Sequence, residues 1–164
     1  MLIMGIDPGP ERSAWVVLDT TTAKRVPFFG YEENEAVVAV IRMQMFKWVN
    51  PVIAIEQVSC YGMPVGQTTF DTCRWIGHFQ RVHMIGGSNG SSPTYPEIAT
   101  HFCHKRNAKE SAVRAVLIDR WGGKEKAIGN KKSPGPLYGL KVKYHHWSAL
   151  AVAVYVADSI APRP

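Results

Sequence analysis

Carboxylates are the scarce charge in this 164-residue chain, with 13 Asp and Glu against 19 Lys and Arg and a net charge of +6. A basic balance of this kind favours a polyanionic partner without requiring one. Cysteine is scarcer still. Cys60, Cys73 and Cys103 are odd in number and form no C-x-x-C pair, which excludes a disulfide framework and points to reduced thiols. His101, Cys103 and His104 lie close together, yet the chain offers no second half for a zinc site. No window reaches the roughly 18 uninterrupted apolar residues that a membrane helix needs. The stretch from Met1 to Asp7 has no basic leader segment, so the expectation is a cytoplasmic protein. The glycine-rich residues 86–92 are not followed by Gly-Lys-Ser/Thr, which removes a phosphate-binding P-loop and leaves a flexible connection.

What remains is an ordinary globular composition, 46% hydrophobic and 20% charged, of a length that suits one domain spanning residues 1–164. Residues 1–7 form an apolar run that ends in an acid before Pro8-Gly9-Pro10 breaks it. Strand formers recur at 13–19 and 24–30, predicting an antiparallel meander. Helical spacing of Val37, Val40, Ile41, Met45 and Trp48 predicts a helix over 35–48, stopped by Asn50-Pro51. A short buried strand, 52–55, then delivers Glu56. Further helices are expected at 66–82, with Phe70, Cys73, Ile76 and Gly77 on one side, from Pro96-Glu97, over 108–121, and over 145–160. The fold class that follows is α/β, a mixed sheet flanked by helices. Residues 122–143 hold Lys124, Lys126, Lys131, Lys132, Lys141 and Lys143 against one acid, Glu125, and their glycines and prolines predict a mobile basic loop.

Three segments carry chemistry. Asp7 ends a buried strand ahead of a tight turn, so its carboxylate is either presented rigidly at the sheet edge or caps the turn. Glu56 follows four apolar strand residues, Val52 to Ile55. If the two strands are neighbours, these carboxylates repel each other and a hard cation such as Mg²⁺ or Mn²⁺ between them relieves the repulsion. Such an ion activates water and neutralises charge on a phosphodiester. At the start of the last helix, His145 and Ser148 share a face while His146 points about 100° away, so His145 could join the same site. A plain helix start with a surface serine is the alternative.

Gly-Ile-Asp-Pro-Gly at 5–9, Ala-Ile-Glu-Gln at 54–57 and a C-terminal helix containing Ala-Leu-Ala at 149–151 resemble the RuvC family of Holliday-junction resolvases. The order runs over nearly the whole chain. Asn107 to Ser111 and the Gly-Pro-Leu-Tyr-Gly segment at 135–139 are similar to the phage-encoded branch. The resemblance implies a ribonuclease H-like fold, with an antiparallel meander plus parallel strands. It also implies a homodimer and paired nicking of four-way DNA junctions by two-metal hydrolysis, in a bacterial cell or a phage-infected host. Asp7 and Glu56 match the first two metal-binding acids. The family's last motif offers an acid at the helix start and often another three residues on, where this chain has His145 and Ser148. Imidazole can bind Mn²⁺ or move a proton, whereas serine removes a charge and a strong ligand. A nuclease using Asp7, Glu56 and His145, a junction-binding protein without cleavage, and a chain altered to suppress cleavage all fit that departure. An RNA-directed nuclease is a further rival. Asp71 and Asp158 are conceivable substitutes, but Asp158 lies about 19 Å along the helix from His145 and is a poor one. For DNA binding, Lys105, Arg106 and Lys109 precede a helix and Lys131 and Lys132 lie in the basic loop. All five could meet phosphates. Tyr61 falls where the family tends to place an aromatic that stacks at the opened crossover.

Overall fold

The computed structural model describes residues 1–21, 25–47, 52–59, 62, 64–85 and 90–161, without the side chains of 44–47. Three strands open the chain: β1 (Leu2–Asp7), β2 (Arg12–Asp19) and β3 (Arg25–Glu33). After α1 (Asn34–Lys47), β4 (Val52–Ile55) runs parallel to β1, and α2 (Gln67–Ile85) leads to the two-residue β5 (Gly90–Ser91). Helices α3 (Tyr95–Cys103), α4 (Glu110–Arg120), the short α5 (Lys124–Ala127) and α6 (His146–Ile160) follow, α6 being preceded by a 3-10 turn at Val142–Tyr144. The sheet order is β3-β2-β1-β4-β5, antiparallel across β1, β2 and β3 and parallel from β1 through β5. This is the expected mixed sheet. Pro27 is accommodated because β3 is an edge strand, where a missing N–H breaks no internal ladder.

Alternation along the central strands divides the core between the two sheet faces. Met4, Ile6, Ile53 and Ile55 pack with Val37 and Ile41 of α1 and Ile76 and Phe79 of α2. Ile3, Val52 and Ala54 face the other way, into a larger cluster with Ile98, Leu117, Leu150 and Val152. Gly5 shares that second face and fixes how closely α6 approaches. A Cβ built there collides with the Ala149 carbonyl oxygen and comes within 2.8 Å of the Ala153 backbone nitrogen. Glycine on the strand and alanines four residues apart on the helix therefore let the two backbones nearly touch. This contact holds the first turn of α6 against the C-terminal end of β1.

Three expectations change. The α2 stripe runs through Ile76, Phe79 and Val82, while Phe70 is 52% exposed and Cys73 is also exposed. The 122–143 segment is anchored rather than free. Ala127, Leu137 and Leu140 are buried in the α6-side core. Leu137 N–H donates to the Ala127 carbonyl at 2.8 Å, and Val26 N–H donates to the Pro136 carbonyl at 3.2 Å. The glycine-rich connection also contributes to the sheet, since Gly90 and Ser91 pair with Ile53 and Ala54. Among the described residues no helix is long and apolar enough to cross a membrane.

Candidate active site

Register places the first two acids. Ile6 pairs with Ile55 in the parallel β1–β4 ladder, and the Glu56 N–H continues that ladder to the Ile6 carbonyl at 3.0 Å. Asp7 and Glu56 are thus the next residues on adjacent strands. Counting by twos from Ile3 and Val52 puts both on the α6 face of the sheet. Burial raises the Glu56 pKa well above the usual carboxylate range, helped by the charges of Asp7 and then Glu110. Each of these causes disfavours the charged carboxylate, so a cation placed beside it would relieve the cost.

The turn after Asp7 is tied down by two polar side chains. Buried Ser13 donates its hydroxyl to Asn34 Oδ1 at 2.5 Å and accepts from the Gly9 N–H at 3.2 Å, while Asn34 Nδ2 donates to the Gly9 carbonyl at 3.0 Å. The turn is therefore fixed by atoms from β2 and α1, not by its own residues alone.

His145 is the residue at the entry to α6, and its backbone is left-handed, φ 56° and ψ 15°. A non-glycine residue in that region is strained by roughly 1 kcal/mol or more, a feature common at functional positions. Its Nδ1 lies 3.3 Å from Asp7 Oδ2. The hydrogen bond to Asp7 raises the His145 pKa, opposed by partial burial and assisted by the charges of Asp7 and Glu110. His146 turns away, as its place on the helix predicts. It is buried, accepts the Lys141 N–H on Nδ1 at 3.1 Å, and has its pKa lowered chiefly by burial.

Glu56, His145 and Ser148 line one cleft of about 280 Å³ between α3, α4 and α6, and Glu110 and Arg114 from α4 line it too. Sequence reasoning missed Glu110. A glutamate in the first turn of a helix reads as a partner for the helix dipole, and nothing local says that it faces a second acid. A larger hollow, about 440 Å³, lies at the other ends of α4 and α6 and is lined by Met1, Leu18, Trp121 and Val154. It contains none of these groups, so chemistry rather than size locates the site.

The donor set suits a hard divalent cation: carboxylates from Asp7, Glu56 and Glu110 with one imidazole, Glu56 being partly buried and in no ion pair among the described residues. Among the described residues no three His, Cys, Asp or Glu side chains are already gathered as a cage for one ion. The groups fit such an ion in kind, and Glu110 and His145 are exposed.

The other candidates are scattered. Lys105, Arg106 and Lys109 are exposed in the α3–α4 turn, where Tyr95 Oη donates to the Ala108 carbonyl at 2.8 Å. Lys109 immediately precedes Glu110, which brings this group to the rim of the cleft. Lys131 and Lys132 are exposed in a turn closed by Asn130 Oδ1, which accepts from the Lys132 and Ser133 N–H groups, and they are not part of the cleft lining. Tyr61 and Cys60 lie outside the described residues. Asp71 pairs with Arg74 on α2. Asp158 is held by Arg120 at 2.6 Å and His101 at 2.7 Å, so it serves the far end of α6 and not the site.

No protein-family model matches the chain, and no curated protein matches it. Solved structures do. The chain is similar to a Thermus thermophilus RuvC structure, with 17% identity, 96% of this chain and 93% of that one covered, and a TM-score of 0.62. It is similar to T. thermophilus RuvC in complex with a Holliday junction substrate, with 15% identity, coverage of 98% and 97%, and a TM-score of 0.66. The yeast mitochondrial Holliday junction resolvase Ydc2 aligns at 13% identity, covering 93% of this chain and 77% of that one, with a TM-score of 0.60. At such identities the likeness carries the fold, and the five-stranded mixed sheet with its flanking helices is the ribonuclease H-like fold of the RuvC structures.

Proposed function

We propose that this chain is a divalent-metal-dependent, structure-specific endonuclease that resolves Holliday junctions or other branched DNA by phosphodiester hydrolysis. The observation that carries the reading is the ladder that sets Asp7 and Glu56 side by side on one face, with His145 reaching Asp7 from α6. In this reading Asp7, Glu56 and His145 hold Mg²⁺ or Mn²⁺, two ions per site, and Glu110 supplies the negative charge that Ser148 does not. When bound, such ions lower the pKa of a water and neutralise charge on the phosphodiester. The chain's own groups do the rest. Asp7 orients the imidazole through Nδ1, His145 either completes the metal site or moves a proton at Nε2, and Ser148 offers a hydroxyl to the cleft. The basic α3–α4 turn receives backbone phosphates. A homodimer supplies two such sites for symmetric nicks. The likeness of segments 107–111 and 135–139 to phage-encoded resolvases suggests that branch as its source.

The test is incubation of the protein with an end-labelled four-way junction in Mg²⁺ or Mn²⁺. Nicking is expected, and Glu56→Gln should slow it by at least about a hundredfold. Undiminished nicking by that variant would remove the reading. Ser148, standing where the resemblance expects an acid, favours a second reading, a branched-DNA-binding protein that does not cleave. That reading predicts tight, salt-sensitive binding with no nicks in either metal, and a gain of nicking in Ser148→Asp.

A further inference from the structure

Beside the cleft, two segments far apart in sequence meet in a run of stacked rings and cations. Arg12, at the start of β2, lies with its guanidinium carbon 5.0 Å from the centre of the Tyr31 ring and donates from Nη2 to the Tyr31 carbonyl at 2.9 Å. Tyr31, on β3, stacks on Tyr144 with centroids 5.6 Å apart at 23°, and on His145 at 6.2 Å and 25°. Lys143 Nζ lies 4.5 Å from the Tyr144 ring centre. Arg12, Lys143 and Tyr144 are all exposed. Neither cation forms an ion pair with a carboxylate among the described residues, Arg12 sharing a hollow with Glu11, Glu33 and Glu35 without pairing to any of them.

We propose that Arg12 and Lys143, held by the Tyr31–Tyr144 stack, form a clamp for a phosphodiester of the bound nucleic-acid strand, next to the phosphate that faces Asp7 and His145. Several features argue for this. The cations are fixed by rings rather than by acids, which keeps their charge while removing much of the side-chain freedom that a ligand must otherwise freeze. Guanidinium is suited to phosphate oxygens by its planar fork, and ammonium as a point charge. Tyr31 touches both the clamp and the His145 ring, so a phosphate seated on the cations is placed at a set offset from Asp7, 3.3 Å beyond that imidazole. Arg12 is further fixed because its neighbour Ser13 ties the Asp7 turn to Asn34.

The inference rests on the proposed nucleic-acid reading, and binding measured in chelator separates the two. Affinity for a four-way junction is measured by anisotropy over a salt series, for the wild type, Arg12→Ala/Lys143→Ala and Arg12→Lys/Lys143→Arg, with each fold checked by circular dichroism. The alanine pair should flatten the slope of log K against log salt by about two, and the charge-keeping pair should retain it. Neutral methylphosphonates walked along the junction should weaken wild-type binding at one or two positions and leave the alanine pair indifferent there. An unchanged slope and an unchanged methylphosphonate profile would overturn the clamp. So would saturable wild-type binding of inorganic phosphate that Arg12→Ala/Lys143→Ala abolishes while junction binding is untouched, since the cations would then serve free phosphate. A wild type that binds no junction at all would overturn the nuclease reading beneath it.

Discussion

On the proposed reading, protons and metal compete for the same side chains, His145 first among them. Asp7 favours the charged form of His145, and burial disfavours the charged form of Glu56, whereas the proposed cation would need both unprotonated. Affinity for Mn²⁺ should therefore climb with pH through and beyond the ordinary histidine range, by up to about tenfold per unit for each proton displaced. Calorimetry in buffers of different ionisation enthalpy should show proton release near neutral pH; a buffer-independent enthalpy would contradict it. Glu110→Gln should weaken Mn²⁺ binding by about tenfold if that carboxylate shares the ion's field, and leave it unchanged if Glu110 only complements the helix dipole. The opposite end of α6 gives a stability prediction. Asp158 is partly buried, which alone would raise its pKa, but hydrogen bonds from Arg120 and His101 hold it below the ordinary value. Its stabilisation is present above the unfolded carboxylate range, about pH 4, and is lost as pH falls through the depressed value. Asp158→Asn should lower stability by about 1–2 kcal/mol at neutral pH, discounted for partial exposure, with the gap to the wild type closing in acid.

At the scale of elements, legibility in the sequence followed the range of the interaction. β1 and β4 were readable because an apolar run ending in an acid is a local pattern, and strand alternation then assigns both acids to one face. α6 was readable from its apolar periodicity, and His145 from standing just before it. The clamp was not readable, because Tyr31 reaches His145 only through the pairing of β2 with β3 and the return of the chain from residue 140. Residues 122–143 misled because glycines and prolines mark turns but do not reveal that Leu137 and Ala127 are buried. The β1–α6 contact is the element on which the site's geometry most depends. Gly5→Ala must separate two backbones already in contact, an overpacking expected to destabilise the fold by about 1–3 kcal/mol or more. Thermal unfolding measures it, and an unaltered melting temperature would show that α6 can shift freely.

Taken whole, the molecule puts its acids and its free cations at the same ends of the central strands. Glu56 and Glu110 line the cleft and Asp7 adjoins it through His145, while Arg12, Lys143 and the α3–α4 turn stand at its margins. That division suits a substrate whose backbone is anionic everywhere and whose reacting phosphate must be met by metal rather than by lysine. On the proposed reading one chain addresses one strand, and a four-way junction takes two. Sedimentation of the protein with junction DNA should give two chains per junction, against one if each copy acts alone. The most direct test of the central claim is single-turnover cleavage of an immobile four-way junction and a matched linear duplex in Mn²⁺, by the wild type and by Asp7→Asn. The account predicts paired nicks in the junction, little or no cutting of the duplex, and no nicks from Asp7→Asn despite retained binding. Junction cleavage that survives loss of the Asp7 carboxylate would contradict it.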